Sequence, residues 1–201
     1  MASKTDIANI AVSLHAGDMV DEIDAAPGRL AEWIRALWAT TLEAAIAAHP
    51  WKFARTSWRD QAALDAAENP DPDGGFAFRQ PADCVRVYEL RPRIDFSEWG
   101  GTGGSVITCS ASVVTLIGTQ RGVDIGRFPA PFNDYLGALL GERVCTPVNA
   151  SEAIRKRCRE ERMAAFTMAA SDNNRVGTVK RVAPDSFMAS RIGGASGSWL
   201  K

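Results

Sequence analysis

The side chains with the greatest chemical capacity are few and widely separated. His15 and His49 are the only histidines; Cys84, Cys109, Cys145 and Cys158 are the only cysteines. No cysteine pair stands at CxxC spacing, no HExxH occurs, and neither histidine has a second ligand at metal-binding spacing. A zinc site would need the fold to bring such residues together. Spacing alone reads Cys109, Cys145 and Cys158 as small buried hydrophobes. It predicts four reduced thiols, no disulfide, no metal and no other cofactor. Each histidine closes a helix, where imidazolium favours the dipole, so both read as structural or surface residues.

Other chemical motifs are incomplete. Gly100-Gly-Thr-Gly-Gly104 has no following Lys-Ser/Thr to hold phosphate and magnesium, so it reads as a hairpin tip. Asp71-Pro-Asp-Gly74 resembles part of a calcium loop without its third acidic position or distal Glu. Gly194-Ala-Ser-Gly-Ser198 is not a nucleophile elbow. Asp60, Asp65 and Glu68 read as a solvated face. No catalytic constellation emerges, and the chain is not expected to be an enzyme. One constellation remains: Arg155, Lys156, Arg157, Arg159 and Arg162, interrupted by Glu160 and Glu161. Such a face suits inter-subunit ion pairs, a nucleic acid channel or plain solvation. A DNA-binding regulator built on residues 155–162 is the alternative function, though no stacking aromatics accompany the charge.

The elements that must position these residues follow from periodicity. Ile7, Ile10, Ala11 and Leu14 predict a short amphipathic helix capped by Thr5 or Asp6 and ended near Gly17. Leu30, Ile34, Trp38, Leu42 and Ile46 form the ridge of a second helix, flanked by Trp33, Leu37 and Ala45 and stopped by Pro50. The ridge puts Trp38 in helix packing, with a cost of about 3–5 kcal/mol for Trp38→Ala. Short β-prone runs follow at 76–78, 85–90, 95–99, 106–109 and 113–119, separated by Pro and Gly, and predict a small antiparallel sheet. Asp73, Gly74, Gly101 and Gly103 are the expected flexible loop tips. After Pro129 and Pro131, Phe132, Leu136, Leu139, Leu140 and Val144 share a helix face. Asn149-Ala-Ser-Glu152 reads as a capping box for a last helix to about Ala170, with Ile154, Cys158, Ala165 and Met168 or Ala169 inward.

The expected fold is therefore α+β and mainly α. It is an antiparallel four-helix bundle with a small inserted antiparallel β-sheet domain and an extended C-terminal arm. Residues 1–50 supply the first two helices, 51–127 the β insertion, 128–172 the last two helices, and 173–201 the arm. The chain's 201 residues, 46% hydrophobic and 23% charged, are enough for a core without staples. No apolar run reaches a membrane span and no signal-peptide core follows the first residues, so a soluble, cytoplasmically made protein is expected. A net charge of −1 conceals an asymmetry: residues 151–201 carry ten basic and five acidic side chains, leaving the rest acidic. That polarity favours an oriented partner.

Several strings, in order, resemble the head-to-tail adaptor proteins of tailed bacteriophages, in particular the tail tubular protein A family of short-tailed phages and gene transfer agent connectors. They are His49-Pro-Trp-Lys-Phe-Ala54 after a long helix, Gln80-Pro-Ala-Asp-Cys-Val-Arg-Val87 before a strand, and Phe96-Ser-Glu-Trp99 with its glycine turn. Val106–Cys109 then leads to Val113–Gly118, and helices at Pro131–Val144 and Ala150–Ala170 run into Asp172-Asn173. The likeness spans about residues 5–192. Gln80 departs from the apolar residue of the pattern, and the loop Asn69–Gly75 has no counterpart. The resemblance implies a structural protein of the virion neck, assembled in the bacterial cytoplasm. It would form a ring of twelve subunits joining the portal to a tail nozzle, stopper or tail-tube protein. Double-stranded DNA would pass through without sequence-specific binding, and no membrane would be involved. It also implies a basic face of Arg155, Lys156, Arg159 and Arg162 toward a neighbour or the channel. The arm would carry Phe187, Met188, Arg191, Trp199 and Leu200 to the portal or a neighbouring subunit. Deleting residues 184–201 is accordingly expected to leave the melting temperature nearly unchanged while abolishing portal attachment, both measured on the purified truncation.

Overall fold

The computed structural model describes residues 2–71, 73, 75–101 and 104–175; the arm positions Phe187, Met188, Arg191, Trp199 and Leu200 lie outside them, as do Gly74 and Gly103. Four helices, α1 (Lys4–Leu14), α2 (Arg29–Ala47), α3 (Ala130–Val144) and α4 (Glu152–Arg175), enclose a β lobe in the chain order. Its strands are β1 (Arg55–Gln61), β2 (Phe76–Arg79), β3 (Cys84–Arg91), β4 (Phe96–Gly101), β5 (Gly104–Cys109) and β6 (Val114–Gln120).

The fold is α+β, but the four-helix bundle is not formed. In a bundle each helix turns one apolar stripe to a shared axis. Here α3 is buried almost all round: between Pro131 and Val144 only Asp134 is exposed. Helices α1, α2 and α4 each lie against α3 and meet one another little. The expected single face of α3 is thus too narrow. It missed Tyr135, Gly137, Ala138 and Gly141, all buried.

Two glycines explain how α1 comes so close. A Cβ on Gly137 would stand 2.6 Å from Ile10 Cβ and 2.9 Å from the Ile7 carbonyl oxygen. One on Gly141 would meet Leu14 Cδ1 at 3.0 Å. Small residues one turn apart open a groove in α3 that seats the α1 backbone. Helix α1 itself starts earlier than expected, at an N-cap Ser3 whose side chain accepts from the Asp6 N–H. Asp6 reciprocates by accepting from the Ser3 N–H at 2.7 Å, a complete capping box.

The segment between α1 and α2 returns along α1. Asn9 pairs its amide with Val20 at 2.9 and 3.0 Å, and Arg35 donates to the carbonyls of Ile23 and Ala26. Ile23 and Ala26 join Ala8, Ala11, Ile34, Leu140 and Val144 in one apolar cluster.

The β lobe contains two three-stranded antiparallel sheets rather than one, ordered β1-β6-β3 and β2-β5-β4. Phe78, Ile107 and Cys109 from one sheet pack with Val87, Leu90 and Leu116 from the other. The central strand of each sheet is covered on both faces over part of its length, with Ile107 to Cys109 of β5 and Leu116 to Thr119 of β6 buried in unbroken runs. Gly101 pairs with Gly104, which closes the β4–β5 hairpin at the glycine run as expected. The other tip residue, Asp73, is exposed.

The lobes are joined by an aromatic cluster. Trp51, only 1% exposed, packs edge-on against Phe132 with centroids 5.0 Å apart and donates its Nε1–H to the Ala45 carbonyl at 2.8 Å. Phe53, Phe128, Tyr135 and Phe166 complete the group. Helix α4 runs past Ala170 because Asn173 is a clamp: its side chain accepts from the Lys52 N–H at 2.7 Å and donates to the Pro50 carbonyl. At its other end the cap is Ser151, whose Oγ accepts from the Ile154 N–H at 3.4 Å. The expected cap, Asn149, instead takes a left-handed turn at φ 54°. Of the two inward alternatives Ala169 is buried, while Met168 is 66% exposed.

Trp38 is half-buried between the two helical clusters, with Lys4 above its ring. Trp51→Ala is therefore expected to cost about 3–5 kcal/mol, and Trp38→Ala clearly less, by urea denaturation. Gly137→Ala gains helix propensity but drives a Cβ into the Ile10 Cβ and Cγ2 and the Ile7 carbonyl oxygen, none of which can yield without moving α1. A net loss of about 1–3 kcal/mol is expected in the same measurement.

Candidate functional site

The basic run of α4 is the first candidate, and the structure spends most of its charge internally. Arg159 and Arg162 lie one turn apart and both reach Glu142 on α3, Arg159 at 3.9 Å and Arg162 in a closer pair. Lys156 pairs with Glu160 at 3.9 Å. Arg155 donates to the Ala150 carbonyl at 2.9 Å, at the head of its own helix. Arg157 reaches across to the Ser13 carbonyl at the end of α1, at 3.3 Å. Residues 155, 159 and 162 recur at i, i+4 and i+7, beside the buried seam of Cys158 and Ala169. Arg159 and Arg162 hold α4 to α3, and Arg157 holds it to α1.

The solvent side of α4 is different in kind. Met163 (57% exposed) and Met168 (66%) stand out from it, with Ala164, Thr167 and Ser171 exposed around them. From Met163 to Ser171 the helix carries no charged side chain. Next to this face, Ile10, Leu14, Pro131, Ala138 and Ala165 line a mainly apolar groove between α1, α3 and α4, with Asp134 and Glu161 also on its wall. Sequence periodicity gave no sign of this face, because it assigned Met168 inward as an equivalent of Ala169.

A second cleft, of about 200 Å³, opens beside the aromatic cluster between Trp51, Phe53, Pro131, Phe132, Ala169 and Asn173. Lys52 and Asp172 also line it. His49 stands nearby, stacked edge-on to Trp51 at 4.8 Å. Burial holds its imidazole below the usual histidine range, partly offset by a hydrogen bond with Asn174.

The third group was not legible in spacing. His15, Cys145 and Cys158 meet, with one ligand atom of each within 4.8 Å of the others. His15 Nε2 lies 3.8 Å from Cys145 Sγ and 2.9 Å from the Gly141 carbonyl oxygen. Cys145 Sγ also donates to that carbonyl, at 3.4 Å. Both cysteines are buried, and His15 is half-buried. Burial, reinforced by the neighbouring Cys145, pushes the Cys158 thiol up to about 12. The other two cysteines, Cys84 and Cys109, are buried in the β lobe. The residues are 130 and 143 positions apart along the chain, His15 to Cys145 and to Cys158. No local pattern joins them; the glycine seam of α3 does.

No protein family model matches the chain, and no curated protein is significantly similar to it. Among the described residues, no helix is long and apolar enough to cross a membrane.

The His49 environment has a pH consequence. Its folded-state affinity for protons is lowered, so its contribution to stability is present above about pH 6.5, the unfolded value. It is lost as pH falls, because the unfolded chain takes up the proton first. Wild-type protein is expected to lose more stability between pH 7 and 5.5 than His49→Gln, read from paired denaturation curves.

Proposed function

We propose that this chain is a structural head-to-tail adaptor of a tailed bacteriophage or gene transfer agent. It would form a ring, of twelve subunits, between the portal and the tail around the DNA channel. The observation that supports subunit packing is the outer face of α4, uncharged from Met163 to Ser171 with Met163 and Met168 standing in solvent. A lone exposed methionine needs no explanation, but a charge-free helical face beside a mainly apolar groove fits a protein partner.

A ring needs two different surfaces on each subunit, because head-to-tail contacts are heterologous. The second surface is the segment between α1 and α2. It carries Asp18, Asp21 and Glu22 around Met19, which is 74% exposed. This segment packs with Leu140 and Val144 of α3, whereas α4 packs with Ala138 and Cys145. The two surfaces thus belong to different sides of α3. The particular assembly is supplied by the ordered strings from His49 to Asn173 that resemble the phage adaptors.

Regulation through DNA binding by residues 155–162 is less well supported. Arg159 and Arg162 are already paired with Glu142, and Arg155 and Arg157 with backbone carbonyls. Electron microscopy of the full chain mixed with the portal protein from the same genome is expected to give a ring seated on the portal. Met168→Glu is expected to abolish the ring while leaving the circular dichroism unchanged. A chain that stays monomeric beside its portal but binds duplex DNA with steep salt dependence would replace the adaptor reading with the regulator.

A further inference from the structure

We propose that His15, Cys145 and Cys158 form a binding site for a soft divalent cation, zinc in the first place, with solvent water in the fourth position. The proposal is independent of the adaptor reading. Two sulfurs and an imidazole nitrogen are the donor set that zinc takes in tetrahedral geometry, with bonds of about 2.3 Å to sulfur and about 2.0 Å to nitrogen. Those bonds place neighbouring donors about 3.5–3.8 Å apart around the ion. The nitrogen of His15 and the sulfur of Cys145 already stand 3.8 Å apart, and all three donors lie within 4.8 Å of one another. Small side-chain rotations are enough to close the site.

The surroundings favour a cation. His15 is the C-cap of α1 and Cys145 the C-cap of α3, so two helices turn their negative ends toward the group. The Gly141 carbonyl faces it directly, while Glu142 on the same turn is already paired with Arg159 and Arg162. The positive group at hand, Arg157, is held on the Ser13 carbonyl. Charge also balances. A dication with two thiolates and a neutral imidazole is neutral overall, which a buried pocket tolerates; two bare thiolates would not be. Binding releases the two thiol protons to solvent; the Nε2 proton that His15 gives the Gly141 carbonyl moves through solvent to Nδ1, so the imidazole stays neutral, and a coordinate bond from Nε2 replaces that hydrogen bond. No electrons move.

Burial accounts for two small apolar side chains at positions 145 and 158, but it does not explain the histidine. A site meant only for packing would be filled by Ala, Val or Leu, as the adjoining Leu14 and Ala138 show. The half-buried His15 gives the pocket its one wet side, which supplies both an entry path and the open fourth position. Helices α1, α3 and α4 each contribute one ligand, so a bound ion would tie all three together at one point.

The test uses the full chain, stripped with a chelator under reducing, anaerobic conditions and titrated with cobalt(II), then zinc(II). One cobalt per chain is expected, with sulfur-to-cobalt charge-transfer absorption and the strong visible bands of a tetrahedral centre. Zinc should displace it and raise the melting temperature. The signal should vanish in Cys145→Ser and Cys158→Ser and weaken at least about tenfold in His15→Gln. It should persist in Cys84→Ser and Cys109→Ser, the built-in controls from the β lobe. Because Cys158 is fully buried, circular dichroism accompanies each variant, and half-buried His15 provides a change that spares the core. The proposal is overturned if wild-type protein shows no charge-transfer band. It is equally overturned if the band survives loss of both Cys145 and Cys158. Formation of a Cys145–Cys158 disulfide by the wild-type chain, without cobalt uptake, would make the pair a redox couple instead.

Discussion

The seating of α1 in the glycine groove of α3 is the contact on which the rest of the helical lobe depends. With Gly137 and Gly141 opposite Ile7, Ile10 and Leu14, an eleven-residue helix is buried along its length. Such a helix is too short to be stable alone in water, so its structure is a consequence of that seat. Everything placed by α1 inherits the constraint. The segment hung on Asn9 and Arg35 lies where it does because α1 does. His15 reaches the sulfurs of Cys145 and Cys158 for the same reason.

A second joint links the lobes. Trp51 secures the end of α2 by donating to the Ala45 carbonyl, which otherwise receives only the Ala48 N–H at 3.4 Å, and it presents its ring to α3 and α4. Asn173 then fixes the far end of α4 to the same linker. The route from α2 into β1 is thus held by a buried aromatic and a buried amide, each fully employed. This explains why residues 171–175, rich in Ser, Asp and Asn, are helical. Their polar side chains find partners across the fold that outweigh their preference for turns.

Helix α4 combines two roles that a charge plot cannot separate. Its basic residues sit at the edge of the buried seam and are paired. Only the stretch from Met163 to Ser171 is uncharged on its solvent side, where it carries methionines. Where an interface is sought, the uncharged face is the better guide, since paired charges at the margin of a core contribute little net attraction to a newcomer. Methionine also adapts its shape to a partner at low cost.

The four helices, five of the six strands, the hairpin at the glycine run and the breaks at Pro50 and Pro129 were legible in the sequence, because each is set by periodicity or turn chemistry within a few residues; β1 was not among the predicted runs. The ridge from Leu30 to Ile46 and the β-prone runs needed no distant partner to be read. What was not legible is how those elements are shared out. One apolar stripe per helix suggests a bundle, yet α3 is wrapped on every side, and what permits this is two glycines whose meaning appears only with α1 beside them. Alternating strands specify a buried face, but not whether six of them make one sheet or two. The pairings of Arg159 and Arg162 with Glu142, and the meeting of His15 with Cys145 and Cys158, span separations over which sequence carries no periodic signal. Local chemistry chose the elements; only close packing, where a single Cβ decides whether two backbones can touch, chose their neighbours.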